Sequence, residues 1–305
     1  MAQQHFPGLT ASWLNGWLAS VGATLLVDGL TLSWSDDPEP VAILDHPGSD
    51  DVAQLVTDAL GSLPPLEQWP IARQYEGLRS IALNLSDDEF RERAALARGH
   101  DLGWMISSIY SDARVDNGVQ APDKGPFMTS MPGKANTPAD RMQKVLGALG
   151  DPQVDVEASF MGVGTRAKMF GLGFDVTRIG SAADTTDQWV DPVIEALAFF
   201  ALQLFPVRGR GGIYVNQRGW IGRSVRERRF WWPVWSSQLG PWAIDAMLDQ
   251  YTNILVRRSI SEAEHPKRWP VALQRLNVFG HYVSVPYEAS GSSDSTRGYG
   301  SRRMW

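Results

Sequence analysis

Residues 191–206, DPVIEALAFFALQLFP, constrain the fold more than any other stretch. Asp191 can accept hydrogen bonds from the first free amides of a helix, Pro192 has the fixed φ that suits the first helical position, and Glu195 meets the positive end of the helix dipole. Pro206 cannot continue the helix and stops it. Between these signals only Glu195 and Gln203 interrupt the apolar side chains. Such a helix is apolar all round and has to be enclosed by other elements. It falls short of the roughly 18 to 20 apolar residues that cross a bilayer, so it predicts a buried core helix. A chain of 305 residues is long enough to build that enclosure, in one large or two modest domains.

The elements around it read as a mixture. Residues 10–22 place Trp13, Leu14, Trp17, Leu18 and Val21 at helical spacing, with Ser12, Asn15 and Ser20 opposite, which predicts an amphipathic helix. Apolar alternation over residues 23–34 around Asp28-Gly29 predicts a hairpin, and residues 41–44 a further strand. Helices are predicted from about residue 50 to Leu60, stopped by Gly61 and Pro64-Pro65, and over residues 87–98, opened by a Ser86/Glu89 capping box. Thr137, Pro138 and Asp140 announce another. Residues 111–139 hold so many glycines and prolines that they predict a long irregular loop. Beyond residue 206, residues 230–235 and 278–285 read as strands and residues 243–251 as a helix. The fold class is α+β, with mainly antiparallel strands. The chain divides into an acidic region 1–150, an Arg- and Trp-rich region 151–287, and a tail 288–305 too polar to offset its ordering entropy and therefore expected to be disordered.

Several chemistries drop out. The chain has no cysteine, which removes disulfides, thiolate metal sites and a cysteine nucleophile. Met128 stands where a P-loop ending at Gly133-Lys134 requires glycine, and Gly162, Gly164, Gly171 and Gly173 lack the spacing of a dinucleotide fingerprint. The histidines are scattered, and no serine-hydrolase elbow occurs. No cofactor, metal site or catalytic residue is therefore predicted. The start of the chain lacks a basic-then-apolar leader, so a cytoplasmic protein with no membrane association is expected. The acidic pairs Asp36-Asp37, Asp50-Asp51 and Asp87-Asp88 fit turns and helix N-termini, where the dipole favours negative charge.

Charge is the strongest functional signal. Residues 1–205 carry 13 Lys and Arg against 27 Asp and Glu, a net of −14, whereas residues 206–305 carry 15 against 7, a net of +8. Within residues 208–235 seven arginines, Arg208, Arg210, Arg218, Arg223, Arg226, Arg228 and Arg229, accompany one acid, Glu227. They are interleaved with Tyr214, Trp220, Phe230, Trp231, Trp232 and Trp235. Guanidinium forks bind phosphate, and aromatic faces stack on unpaired bases. This combination predicts a nucleic-acid groove in which the arginines hold phosphate and Tyr214 or Trp220 stacks on a base. Strand alternation sends part of the Trp231, Trp232, Trp235 block into the core. The same charges also suit pairing with the acidic half of the chain.

Residues 170–219 carry a resemblance. A strand with Phe174-Asp175 and nearby Arg178 precedes the proline-started helix over residues 192–204, which ends in Phe205-Pro206-Val207-Arg208. This arrangement resembles the auxiliary, large-subunit-like proteins of type I-U (I-G) CRISPR effector complexes, and the helix around Leu14 to Leu18 is compatible with it. The resemblance implies a non-catalytic subunit of an RNA-guided antiviral complex that touches guide RNA or target DNA and neighbouring effector subunits. In such complexes base pairing reads sequence while protein arginines grip backbone. A metal-dependent nuclease and a charge-paired structural interaction protein are the alternatives.

Overall fold

A computed structural model describes residues 4–71, 85–116, 118–130, 138–169, 188–209, 215–222, 227–257, 269–288 and 296–304, and its fold is α+β. The chain opens with β1 (Gln4–Thr10), α1 (Leu14–Leu26), β2 (Thr31–Trp34), β3 (Val41–Asp45) and α2 (Val52–Gly61). Then come α3 (Asp87–Ala97), α4 (Trp104–Ile109), β4 (Tyr110–Asp116), β5 (Val119–Lys124), α5 (Pro126–Ser130), α6 (Pro138–Leu149) and α7 (Val156–Phe160). The remainder runs β6 (Ala167–Met169), β7 (Gln188–Val190), α8 (Pro192–Ala201), β8 (Val207–Gly209), β9 (Val215–Gln217), β10 (Trp220–Ile221), β11 (Arg229–Trp235), α9 (Pro241–Arg257), α10 (Trp269–Gln274), β12 (Val278–Glu288) and β13 (Thr296–Arg303). The strands form a three-stranded sheet β1-β3-β2, a four-stranded sheet β10-β11-β12-β13 and three two-stranded ladders, all antiparallel.

The helix demanded by residues 191–206 forms as α8. Asp191 Oδ1 accepts from the amides of Val193 at 3.0 Å and Ile194 at 3.3 Å, and every α8 residue is buried. A 3₁₀ turn, Leu202–Leu204, carries the chain to Pro206. Helix α1 lies directly against α8: a Cβ on Gly22 would run into the Leu197 carbonyl oxygen, so only glycine permits this approach. Three indoles then join α1 and the two sheets. Trp17 Nε1 donates to Pro233 O at 2.9 Å, Trp232 Nε1 to Ala11 O at 2.8 Å and Trp235 Nε1 to Leu32 O at 3.0 Å. Each buries its ring while its N–H keeps a partner, the condition under which tryptophan is cheap to enclose. Reciprocal backbone bonds between Leu32 and Leu239, at 2.9 and 3.0 Å, complete the join. Residues on both sides of position 150 share one core, from Phe6 to Tyr282.

Three expectations are corrected. Helix α1 runs four residues further than the periodicity suggested, so residues 23–26 are helical rather than strand, and its polar residues Asn15 and Ser20 are buried with the rest. Ser20 Oγ donates to Gly16 O at 2.8 Å, and Asn15 Nδ2 donates across to Glu195 Oε1 of α8 at 2.7 Å. Residues 110–116 and 118–130 carry the β4–β5 ladder and α5 rather than an irregular loop, and residues 131–137 of that stretch lie outside the described residues. Gly118 takes the positive φ of the turn at 82°, and Pro122, which has no N–H, sits where the ladder register shifts between Ser111 and Arg114. The tail is not wholly irregular either. Residues 296–303 add β13 to the sheet edge, with Arg303 opposite Tyr282 and Arg302 opposite Val283. Ladder hydrogen bonds supply what apolar content could not.

Candidate nucleic-acid interface

The structure separates the residues that the sequence grouped. Arg208, on β8, is exposed, and its Nη1 lies 4.0 Å from Asp249 Oδ1. Arg218 follows β9 but turns inward: its side chain is 4% exposed, with Nη1 2.5 Å from Asp245 Oδ1 and Nη2 2.8 Å from Asp249 Oδ1. This guanidinium braces α9 against the β9–β10 turn. Arg228 is also buried and donates from Nη1 to Val215 O at 2.7 Å. Trp220 is core, its ring 5.3 Å from Phe127 and 5.7 Å from Phe230, with no face open for a base. Arg218, Arg228 and Trp220 are thus corrected from surface ligands to packing and bracing residues. Arg210, Tyr214, Arg223 and Arg226 lie outside the described residues.

Arg229 belongs to a different arrangement. Along β11, Phe230, Trp232 and Val234 are fully buried, while Arg229 and Trp231 alternate with them and remain partly exposed. A register shift between Val234 and Trp235 turns Trp235 to the core side as well. Residues directly opposite in a ladder share a face, so the pairings Trp231 with Val283 and Val283 with Arg302 place those three in one row on the outer face. Arg229 pairs with Ile221 on β10, and exposed Val285 pairs with Gly300 on β13. One end of the outer face therefore carries Trp231 and Val285 with Arg229 and exposed Arg302 about them. Arg303, one residue on and in the row of Tyr282, instead donates from Nη1 to Pro38 O at 2.9 Å.

The other end of this face is closed. Pro233 pairs with His281, both buried, and Tyr251 of α9 brings its hydroxyl 3.1 Å from His281 Nδ1. Burial pushes the His281 pKa down to about 4 and the Tyr251 pKa well above its usual value. The Trp231 ring lies 5.5 Å from the His281 ring, at the border between the covered and open ends.

A second polar group, missed in the sequence, sits deep in the core. Glu195 of α8 is 2% exposed and Arg141 of α6 is 1% exposed. Desolvation lowers the Arg141 pKa to about 10, opposed by the attraction of Glu195. The sequence hint was Glu195 interrupting an apolar helix, which reads equally well as a first-turn acid. No three metal-ligating side chains converge among the described residues, and none of the described helices is long and apolar enough to cross a membrane. Comparison of the chain with protein-family models, curated proteins and solved structures finds no match.

Proposed function

We propose that this protein is a non-catalytic, nucleic-acid-binding subunit of an RNA-guided CRISPR effector complex, holding guide RNA or target DNA by its backbone alongside other effector subunits. The observation that carries nucleic-acid binding is the open end of the outer sheet face, where Arg229 and Arg302 stand beside a partly exposed Trp231 within residues 206–305, the last third of the chain, with net charge +8. Guanidinium groups on a β-sheet face supply phosphate contacts, and Arg208 on β8 is a further exposed guanidinium near α9. The CRISPR assignment rests on the resemblance of residues 170–219. Its test is reconstitution: co-expression with the products of adjacent genes should give a ribonucleoprotein that retains this subunit through gel filtration, whereas a monomer free of RNA under the same conditions would reject it.

The charge-paired structural reading keeps one specific support, because Arg218 is neutralised by Asp245 and Asp249 of the same chain. Among the described arginines of the basic segment these two aspartates reach Arg218 and Arg208, whereas Arg229 lies on the sheet face away from them. Electrophoretic mobility shifts with RNA, single-stranded DNA and duplex DNA separate the two readings.

A further inference from the structure

We infer that the nucleic acid taken by the outer sheet face is single-stranded, with Trp231 as the residue on which an unpaired base stacks; this rests on the nucleic-acid reading above. Neighbouring side chains on one sheet face stand side by side, so Trp231, Val283 and Arg302 form a continuous row across three strands. Val283 is buried, but Val285 on the same strand face is 41% exposed, and Gly300 opposite it has no side chain to block a planar group. Val285 and Gly300 thus form a low, apolar step beside the Trp231–Val283–Arg302 row, with Arg229 on β11 and Arg302 on β13.

A duplex presents phosphates to such a surface but keeps its base faces stacked inside the helix, beyond the reach of an indole lying in a sheet. A single strand can lay one base on Trp231 while its flanking phosphates meet Arg229 and Arg302. Stacking of this kind tolerates any base, since every base has a π face. The tryptophan is flanked on one side: His281 lies against it, and the Tyr251 hydroxyl in turn meets His281. The ring therefore loses little freedom on binding.

The test is fluorescence anisotropy of the full chain with labelled oligothymidylate, labelled oligouridylate and a DNA duplex of equal length at one salt concentration. Both single strands should bind about tenfold more tightly than the duplex. Trp231→Leu keeps apolar bulk but removes the flat ring, and should weaken single-strand binding about tenfold while leaving duplex binding unchanged. Trp231→Phe should retain most of the affinity, and thermal melting of both variants verifies the fold. Equal affinity for single strand and duplex, or an unaffected Trp231→Leu variant, would overturn the inference while leaving nucleic-acid binding intact. Absence of binding to all three probes would overturn the underlying reading as well.

Discussion

Arg218 and Asp249 form an ion pair at 2.8 Å in which the guanidinium side chain is 4% exposed and the carboxylate side chain 46% exposed. Asp245 takes the other side of the same guanidinium. The asymmetry fixes how the pair fails. Arg218→Ala leaves two half-exposed carboxylates that water can solvate again, and should cost about 2 kcal/mol. Asp245→Asn combined with Asp249→Asn leaves a buried guanidinium without a counter-charge, and should cost about 3–5 kcal/mol. Urea denaturation of the two variants checks this order; equal destabilisation would contradict it.

Asp249 also bears on the proposed nucleic-acid binding. Its Oδ1 also lies 4.0 Å from Nη1 of exposed Arg208, where it competes with any phosphate approaching that arginine. Asp249→Asn leaves Asp245 on Arg218 and should strengthen nucleic-acid binding about two- to fivefold. Asp101→Asn changes the net charge equally on an exposed residue of the acidic half, and should have a smaller effect. Anisotropy titrations of both variants, side by side, distinguish local competition from a general loss of negative charge.

The α1–α8 contact predicts opposite outcomes for two glycine substitutions. Gly22→Ala forces α1 away from the Leu197 carbonyl and should destabilise the protein by about 3 kcal/mol. Gly147, on the exposed side of α6, has open space around it, so Gly147→Ala should stabilise by about 0.5–1 kcal/mol. Thermal melting of the pair is the measurement.

His281 sets part of the acid sensitivity. Its folded pKa of about 4 lies below the unfolded value near 6.5, so between those values the unfolded chain binds the proton more strongly. Stability from this group is complete above about pH 6.5 and is lost as pH falls toward 4, by at most about 3 kcal/mol. Unfolding free energies of the wild type and His281→Leu, measured across that window, should converge as the pH falls; parallel curves would contradict the assignment.

The sequence was most legible where a helix carries its own boundaries. Asp191, Pro192 and Pro206 delimit α8 through local backbone chemistry, and the Ser86/Glu89 capping box does the same for α3. Helix α1 was misread because spacing shows an apolar stripe but not a second neighbour, and α8 on its other side buries Asn15 and Ser20. Strand β13 was invisible because an edge strand can be held by backbone pairing with β12 rather than by apolar content. The candidate site followed the same division. Arginine density located the basic half, yet partner carboxylates on α9 and the path of β11 decide which arginines face outward. Arg229 is partly exposed on the outer sheet face, Arg218 and Arg228 are buried, and exposed Arg302 comes to the same face from the last strand, more than 70 residues away in sequence.

The most direct test of nucleic-acid binding at this face is the salt dependence of single-strand affinity for the wild type and for the Arg229→Ala, Arg302→Ala double variant. If both guanidinium groups contact phosphate, the double variant should bind more weakly and its plot of log affinity against log salt should be shallower by about 1.4, near 0.7 per contact. Affinity and slope identical to wild type would place the nucleic acid elsewhere or nowhere on this protein.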